Sequence, residues 1–449
     1  MKRKIYEQLK IWKEKRQGRC ALLIEGARRI GKSYIVEQFG KQEYKSYILV
    51  DFNRLDDELL DIFNHHLNKL DDFFSRLQLY YNTKLYVRES LIIFDEVQQY
   101  PKARASIKYL VADGRYDYIE TGSLISIKKN VANIVIPSEE HPIKMYPMSF
   151  EEFLWANGNE MLMPFIKECF EKKKPLETFH RKAMDFLRQY IVVGGMPQVV
   201  KTYIETKDFE EVDFQKQEIL ALYRNDIQKY AKGAETKASI IFNSIPSQLK
   251  NHEQKFKMTD LAPNARYREY YDGFFWLNDA KIVNICYNTT EPTIGLRMNE
   301  ARTTLKCYLA DTGLLITQCF SQDDKVPMDI YKKLILSKLE VNEGMIIENL
   351  VAQMLKIGGH DLFFYGNADK KNADNRMEID FLISKSKITN RHNISPIEVK
   401  SSNNYTISSL KKWINKYSEQ LHTPYVLHSS DLKIEDGITY LPLYMAELL

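Results

Sequence analysis

Apolar residues recur along this chain in two periods, and the alternation between them marks out strands and helices. Ile5, Leu9 and Trp12 stand three or four apart among Lys2, Arg3, Lys4, Lys10, Lys13, Lys15 and Arg16, a spacing that predicts a helix with one packed and one cationic face. That cationic face is either solvated or a contact for nucleic acid. The run Cys20 to Ile24 reads as a strand, Gly26 to Ser33 as a glycine-bounded loop, and Tyr34 to Phe39 as a helix. Further strands are expected at Ser46 to Asp51, Ser90 to Phe94 and Tyr116 to Glu120, with a charged helical stretch from about Asp56 to Leu79. Four consecutive apolar residues, Leu91 to Phe94, suit a strand covered on both faces, as in a parallel sheet.

Helical periodicity dominates residues 150–235, with Phe150, Phe153, Leu154, Phe186 and Tyr190 on packed faces. From Ala238 to Ile316 short helices, including Ile240 to Leu249 and Tyr270 to Leu277, give way to hairpin-like strands. Beyond them a helix is expected over Gly344 to Leu355, strands over Glu378 to Ile383 and Pro396 to Lys400, and an amphipathic helix from Leu410 to Tyr417. Pro424 to Leu427 and Thr439 to Leu443 read as edge strands that close a sheet.

Chemistry concentrates first in Gly26-Ala27-Arg28-Arg29-Ile30-Gly31-Lys32-Ser33. The spacing G-x-x-x-x-G-K-S lets backbone N–H groups converge on a polyphosphate at the positive end of the following helix. Gly26 to Tyr34 is therefore the candidate ATP-binding segment, with Lys32 reaching the β- and γ-phosphates and Ser33 holding Mg²⁺. Asp95 emerges at the carboxyl end of its strand, where open α/β sheets bind ligands; it can support Mg²⁺, and Glu96 can polarise the attacking water. Thr121 and Ser123 follow the next strand, either as sensors of the γ-phosphate or as an ordinary turn. Gly194-Gly195-Met196-Pro197 is either a contact to the nucleotide base or ribose, through Pro197, or a helix break.

A second constellation lies near the C-terminal end. Glu348 shares a helix face with Val351 and Leu355, so its carboxylate points toward packed surface and needs a metal ion or a positive side chain as partner. Glu398 and Lys400 project from one face of their strand, and Asp380 on a neighbouring strand completes a carboxylate pair. Two carboxylates that hold Mg²⁺ or Mn²⁺ beside a lysine can hydrolyse a phosphodiester; the competing reading is a solvent-facing ion pair between Glu398 and Lys400.

Composition adjusts this picture little. At 449 residues the chain exceeds one core and calls for two to four domains. A net charge of +4 with 44% apolar residues makes it globular and leaves any polyanion site local. Cys20, Cys169, Cys286, Cys307 and Cys319 form no C-x-x-C pair, which argues against a zinc site or disulfide framework and suits a reducing compartment. No apolar stretch approaches the roughly 18 residues of a membrane span. A cytoplasmic protein without membrane contact is expected.

The ordered series "GARRIGKSY", "LIIFDEVQ", "ETGSL", "YPMSFEEFLWA", "GGMPQVV", "LKCYLADTGLL" and "EIDFLI…PIEVK" resembles the bacterial and archaeal AAA-type ATPases that carry a C-terminal restriction-endonuclease-like region. The resemblance covers nearly the whole chain. It implies an α/β fold: a P-loop AAA-type parallel sheet at 1–149, a helical lid at 150–235, a winged-helix-like middle at 236–325 and a nuclease-like α/β domain at 326–449. Asp380, Glu398 and Lys400 match the PD-(D/E)-x-K pattern and Glu348 its helix acid, although the proline before the aspartate is missing. Many relatives carry a Gly-Arg, a candidate finger acting in trans within an oligomer, where this chain reads Ile136 to His141 without an arginine; the finger is left unassigned, with Arg115 and Arg224 either candidates for it or surface salt-bridge partners.

Two functions follow. ATP hydrolysis drives or licenses action on DNA or RNA through the C-terminal site, with Lys32, Glu96, Glu398 and Lys400 catalytic and Ser33, Asp95, Glu348, Asp380 and Glu398 on the metals. Alternatively, the ATPase is a switch whose C-terminal fold only binds nucleic acid or a partner protein.

Overall fold

A computed structural model describes residues 1–123, 137–250, 255–293, 295–322, 325–336, 343–367, 375–384, 393–402 and 404–449. The chain divides into two compact units, Met1–Tyr146 and Pro147–Leu449.

The first unit is built on strands β1 (Ala21–Glu25), β2 (Ser46–Asp51), β3 (Ser90–Asp95), β4 (Asp117–Gly122) and β5 (Glu140–Lys144). They lie in the order β2-β3-β4-β1-β5, and every pair is parallel. Ile48, Val50, Ile92, Phe94 and Tyr118 from the sheet pack against Phe52, Phe63, Phe73 and Phe74, whose rings meet edge to face, as Phe52 and Phe63 do at 5.3 Å. The long helical stretch expected from Asp56 to Leu79 is two helices, Asp57–His65 and Leu70–Tyr80. A straight helix of that length would run about 35 Å, past the core; the break lets both halves bury their aromatic faces against the same sheet. The N-terminal helix, Ile5–Arg16, buries Ile5, Leu9 and Trp12 as its spacing predicts. Strand β5 carries no apolar signal: it reads Glu-His-Pro-Ile-Lys, is partly exposed, and holds Pro142, which a sheet tolerates at its edge.

In the second unit, helices between Phe150 and Lys250 precede a sheet of β6 (Val283–Thr289), β7 (Glu300–Leu309), β8 (Phe363–Asn367), β9 (Met377–Ser384), β10 (Ile394–Val399), β11 (Tyr425–His428), β12 (Lys433–Glu435) and β13 (Ile438–Pro442). Among the described residues the order is β12-β13-β11-β10-β9-β8-β6-β7. The hairpin β6-β7 of the middle segment thus extends the C-terminal sheet, through parallel pairing of β6 with β8. Strands β8, β9 and β10 form an antiparallel meander, and β11 runs parallel to β10. The expectation that the last two apolar strands are edges is corrected: β11 and β13 are internal, and the edge is β12. Three exposed residues are too few and too polar to leave a periodic signal. Leu382, Ile394, Val426, Leu410 and Trp413 form the core beneath this sheet.

Two sequence motifs more than a hundred residues apart are locked together in this unit. Asp311, fully buried, accepts hydrogen bonds from the Gly195 N–H at 2.6 Å and the Leu314 N–H at 3.0 Å. Gly194 lies in the left-handed region (φ 82°), and a Cβ there would sit 2.3 Å from Asp311 Oδ1, so no other residue fits this approach. Nearby, the buried Lys216 donates to the Val192 carbonyl at 3.0 Å and the Tyr331 hydroxyl at 2.9 Å. Burial lowers the Lys216 pKa to about 8, against the opposing pull of Asp213 and Asp311.

Between about pH 8 and 10.5 the unfolded chain therefore holds a proton that the folded chain has released, so stability rises with pH across that window. Urea unfolding of wild type and Lys216→Met at pH 7.5 and 10 checks this. The stability difference should move in favour of the wild type at the higher pH; a difference independent of pH would contradict the buried, proton-shedding lysine.

Candidate functional site

Parallel pairing brings three strand ends to one edge of the first sheet. Register matches Glu25 of β1 with Gly122 of β4, and Glu120 of β4 with Phe94 of β3. The loop after β1, Asp95 at the end of β3 and Thr121 near the end of β4 are neighbours as a consequence. The loop itself runs from Gly26 to the helix Lys32–Glu43, whose N-cap is Gly31 in the left-handed region (φ 88°). A Cβ on Gly26 would lie 2.4 Å from both the Met145 carbonyl oxygen and Ile30 Cδ1. Ala27 and Ile30 are buried and anchor the loop. Arg28 is half-buried, Arg29 is exposed with φ 68°, and Tyr34 is half-exposed with its hydroxyl 3.3 Å from the N-terminal amine.

Each functional side chain already has a partner. Lys32 Nζ donates to the carbonyls of Gly26 at 3.0 Å and Ala27 at 2.9 Å. Ser33 Oγ donates to Asp95 Oδ1 at 2.8 Å, and the Thr121 hydroxyl donates to the same oxygen. Burial pushes the Asp95 carboxyl up, and the Thr121 and Ser33 hydroxyls hold it back. Glu96 adopts the left-handed conformation (φ 52°), uncommon for a residue with a Cβ and a mark of local constraint. Its carboxylate accepts from Ser123 Oγ at 3.1 Å and Gln98 Nε2 at 2.5 Å. The loop, the two acids and the two hydroxyls expected from sequence thus converge.

The cradle fits a nucleotide polyphosphate with Mg²⁺. The loop turns through the left-handed region that favours glycine at Gly31, a lysine side chain reaches into it, and a buried carboxylate meets the helix N-terminus through Ser33.

Arg3, whose role the sequence pattern hides among surface lysines, is buried and donates to the Ile30 and Tyr146 carbonyls at 2.7 Å each. It ties the phosphate loop to the last residue of the unit. Of the candidate fingers, Arg115 is paired with Asp113 at 2.8 Å and Asp71 at 2.6 Å, while Arg224 leans on Asn243 at 3.4 Å. Ile136 lies outside the described residues. Pro197 belongs to the second unit, as the first residue of the helix Pro197–Thr206.

The C-terminal residues also meet, in a cleft of about 450 Å³ lined by Lys306, Glu348, Glu378, Asp380, Glu398 and Lys400 among others. Asp380 Oδ2 accepts from the Val399 N–H at 2.8 Å, and Lys400 Nζ donates to Glu398 Oε1 at 2.6 Å. Burial, then the neighbouring Glu348, push Asp380 up to about 7; burial raises Glu398 too, against Lys400. Glu348 has found the positive side chain its position demanded: Lys306 Nζ at 2.9 Å, with the Tyr308 hydroxyl at 2.5 Å. The same ammonium reaches Glu378 Oε1 at 3.0 Å. Among the described residues no three His, Cys, Asp or Glu side chains close on one point as a ready ion cage.

Lys306, Tyr308 and Glu378 fall within motifs noted in the sequence but are given no role there, yet they carry a signal. Lys306 and Tyr308 lie two apart in the buried second half of their strand, Leu305 to Leu309, so they share a face, and a buried lysine there requires an acid. Glu378 lies two before Asp380 and shares its face.

Comparison with known proteins bears on each part. The family model described as an AAA domain matches residues 18–154. Two domains of unknown function, DUF8612 and DUF4143, match residues 184–324 and 343–446. No curated protein matches the chain. Similar solved structures include a Walker-type ATPase of Pyrococcus abyssi (13% identity, 70% of this chain and 94% of that one, TM-score 0.41). Also similar are a Signal Transduction ATPase with Numerous Domains (STAND) protein with a tetratricopeptide repeat sensor from Pyrococcus horikoshii (11%, 77% and 47%, 0.27) and PCH-2 of C. elegans (14%, 37% and 43%, 0.19). No helix among the described residues is long and apolar enough to cross a membrane. Residues 18–154 thus match an AAA domain, joined in one chain to segments that match domains of unknown function.

Proposed function

We propose that this chain binds and hydrolyses ATP at the loop Gly26–Ser33 and couples that cycle to action on the phosphodiester backbone of DNA or RNA in the C-terminal cleft. The observation that carries the first half is the 2.8 Å bond from Ser33 to Asp95, which closes the phosphate loop onto the acid at the end of β3. When bound, Mg²⁺-ATP supplies the scissile γ-phosphoryl group with its charge partly neutralised. Lys32 exchanges its loop carbonyls for phosphate oxygens. Ser33 and Asp95 would hold the ion. Glu96, fixed by Ser123 and Gln98, orients the attacking water and accepts its proton. Thr121 and Ser123 act here through Asp95 and Glu96, whose positions they set.

Lys32→Ala should abolish tight binding of a fluorescent ATP analogue. Glu96→Gln should keep that affinity and lower turnover by about 10²-fold or more; normal hydrolysis by Glu96→Gln would remove the water-activating role.

Support for the second half is the adjacency of Asp380, Glu398 and Lys400 on paired strands around one cleft, a donor set suited to Mg²⁺ or Mn²⁺. The second reading, a nucleotide-dependent switch with a non-cleaving C-terminal module, draws on the ion pair that already satisfies Glu348. Duplex and single-stranded DNA and RNA incubated with Mg²⁺ or Mn²⁺, with and without ATP, separate the two. Cleavage that disappears in Lys400→Ala is the expected result; intact substrates alongside normal ATP turnover would favour the switch.

A further inference from the structure

Four carboxylates line the C-terminal cleft, Glu348, Glu378, Asp380 and Glu398, against two ammonium groups, Lys306 and Lys400. The two lysines are placed differently. Lys400 holds Glu398 at the rim, whereas the Lys306 side chain is only 8% exposed and binds two carboxylates at once, Glu348 at 2.9 Å and Glu378 at 3.0 Å. Its remaining side faces the Phe364 ring at 5.3 Å. A lysine ammonium is a compact point charge with three donors, and Lys306 spends them as a small ion would, bridging acids from a helix and a strand. On the other side of the cleft, Glu398 Oε2 is buried without a hydrogen-bond partner, in a residue only 6% exposed. With all six groups ionised, the cleft lacks two positive charges, the charge of one divalent ion. A second divalent ion would have to displace Lys306 and leave its ammonium buried and unpaired, which costs several kcal/mol.

We propose that Lys306 is a resident cation that fills one cation position of the cleft, so that Asp380 and Glu398 take a single divalent ion beside it. This rests on the metal-dependent reading of the cleft and narrows it: phosphodiester chemistry here uses one metal ion and one fixed ammonium, in place of a two-metal clamp. Lys306 is a positioning residue, acting through Glu348 and Glu378.

The test counts bound Mn²⁺ by electron paramagnetic resonance on the nucleotide-free full chain carrying Asp95→Asn, which removes the acid of the ATP site. This parent should bind one ion per chain, lost in Asp380→Asn. Adding Lys306→Met should raise the count to two, and Glu348→Gln should return it to one. An unchanged count and affinity in Lys306→Met would overturn the proposal. Lys306→Arg keeps the charge without baring two carboxylates to each other, so it should bind one ion; two would also overturn the proposal. A parent that binds no Asp380-dependent ion would instead defeat the metal-dependent reading, while a single ion gained in Lys306→Met would still uphold the role of Lys306.

Discussion

A carboxylate removed from water must be given a partner or a proton, and the chemistry of this chain is arranged around how its buried acids meet that demand. Asp95 is held by two hydroxyls, Asp311 by two backbone amides, Asp380 by one amide, and Glu348 by an ammonium and a phenol. The kind of partner decides what each acid can still do. Hydroxyls and amides satisfy the lone pairs and leave the charge uncompensated; an ammonium compensates it.

By that criterion the two sites differ. In the first unit Asp95 keeps its need for positive charge, next to a lysine that donates to loop carbonyls. Such a site is poised for a cation and an anion arriving together, as an ion-bound triphosphate does. In the second unit Lys306 bridges Glu348 and Glu378 and Lys400 pairs with Glu398, so each side of the cleft is left one positive charge short, and Asp380 has only an amide. Asp311 belongs to neither site. It fastens Gly195 to the start of the helix Thr312–Phe320, inside its own unit.

Much of this was legible in the residues. Strands β1 to β4 announce themselves because each is an apolar run ending in a polar turn, and the loop after β1 because its glycines and lysine are spaced for phosphates. Asp380, Glu398 and Lys400 follow from the period of two along strands. What stayed hidden has physical causes. Strand β5 is mostly polar and is anchored through the Arg104–Glu140 ion pair, a contact its own residues do not announce, and β12 is three exposed residues long. Arg3 sits in a basic stretch that resembles a solvated face, and only the fold shows that its guanidinium reaches carbonyls 27 and 143 residues away. Lys306 was concealed by distance: its acids lie on a helix and a strand that the sequence does not mark as its neighbours.

The central claim is that the phosphate loop and Asp95 form one ion-and-nucleotide site. Pulsed electron–nuclear double resonance on the full chain with Mn²⁺ and a non-hydrolysable ATP analogue tests it directly. The account predicts ³¹P couplings from a protein-bound Mn²⁺–nucleotide complex that is lost or much weakened in Asp95→Asn. An identical bound signal in that variant would contradict it.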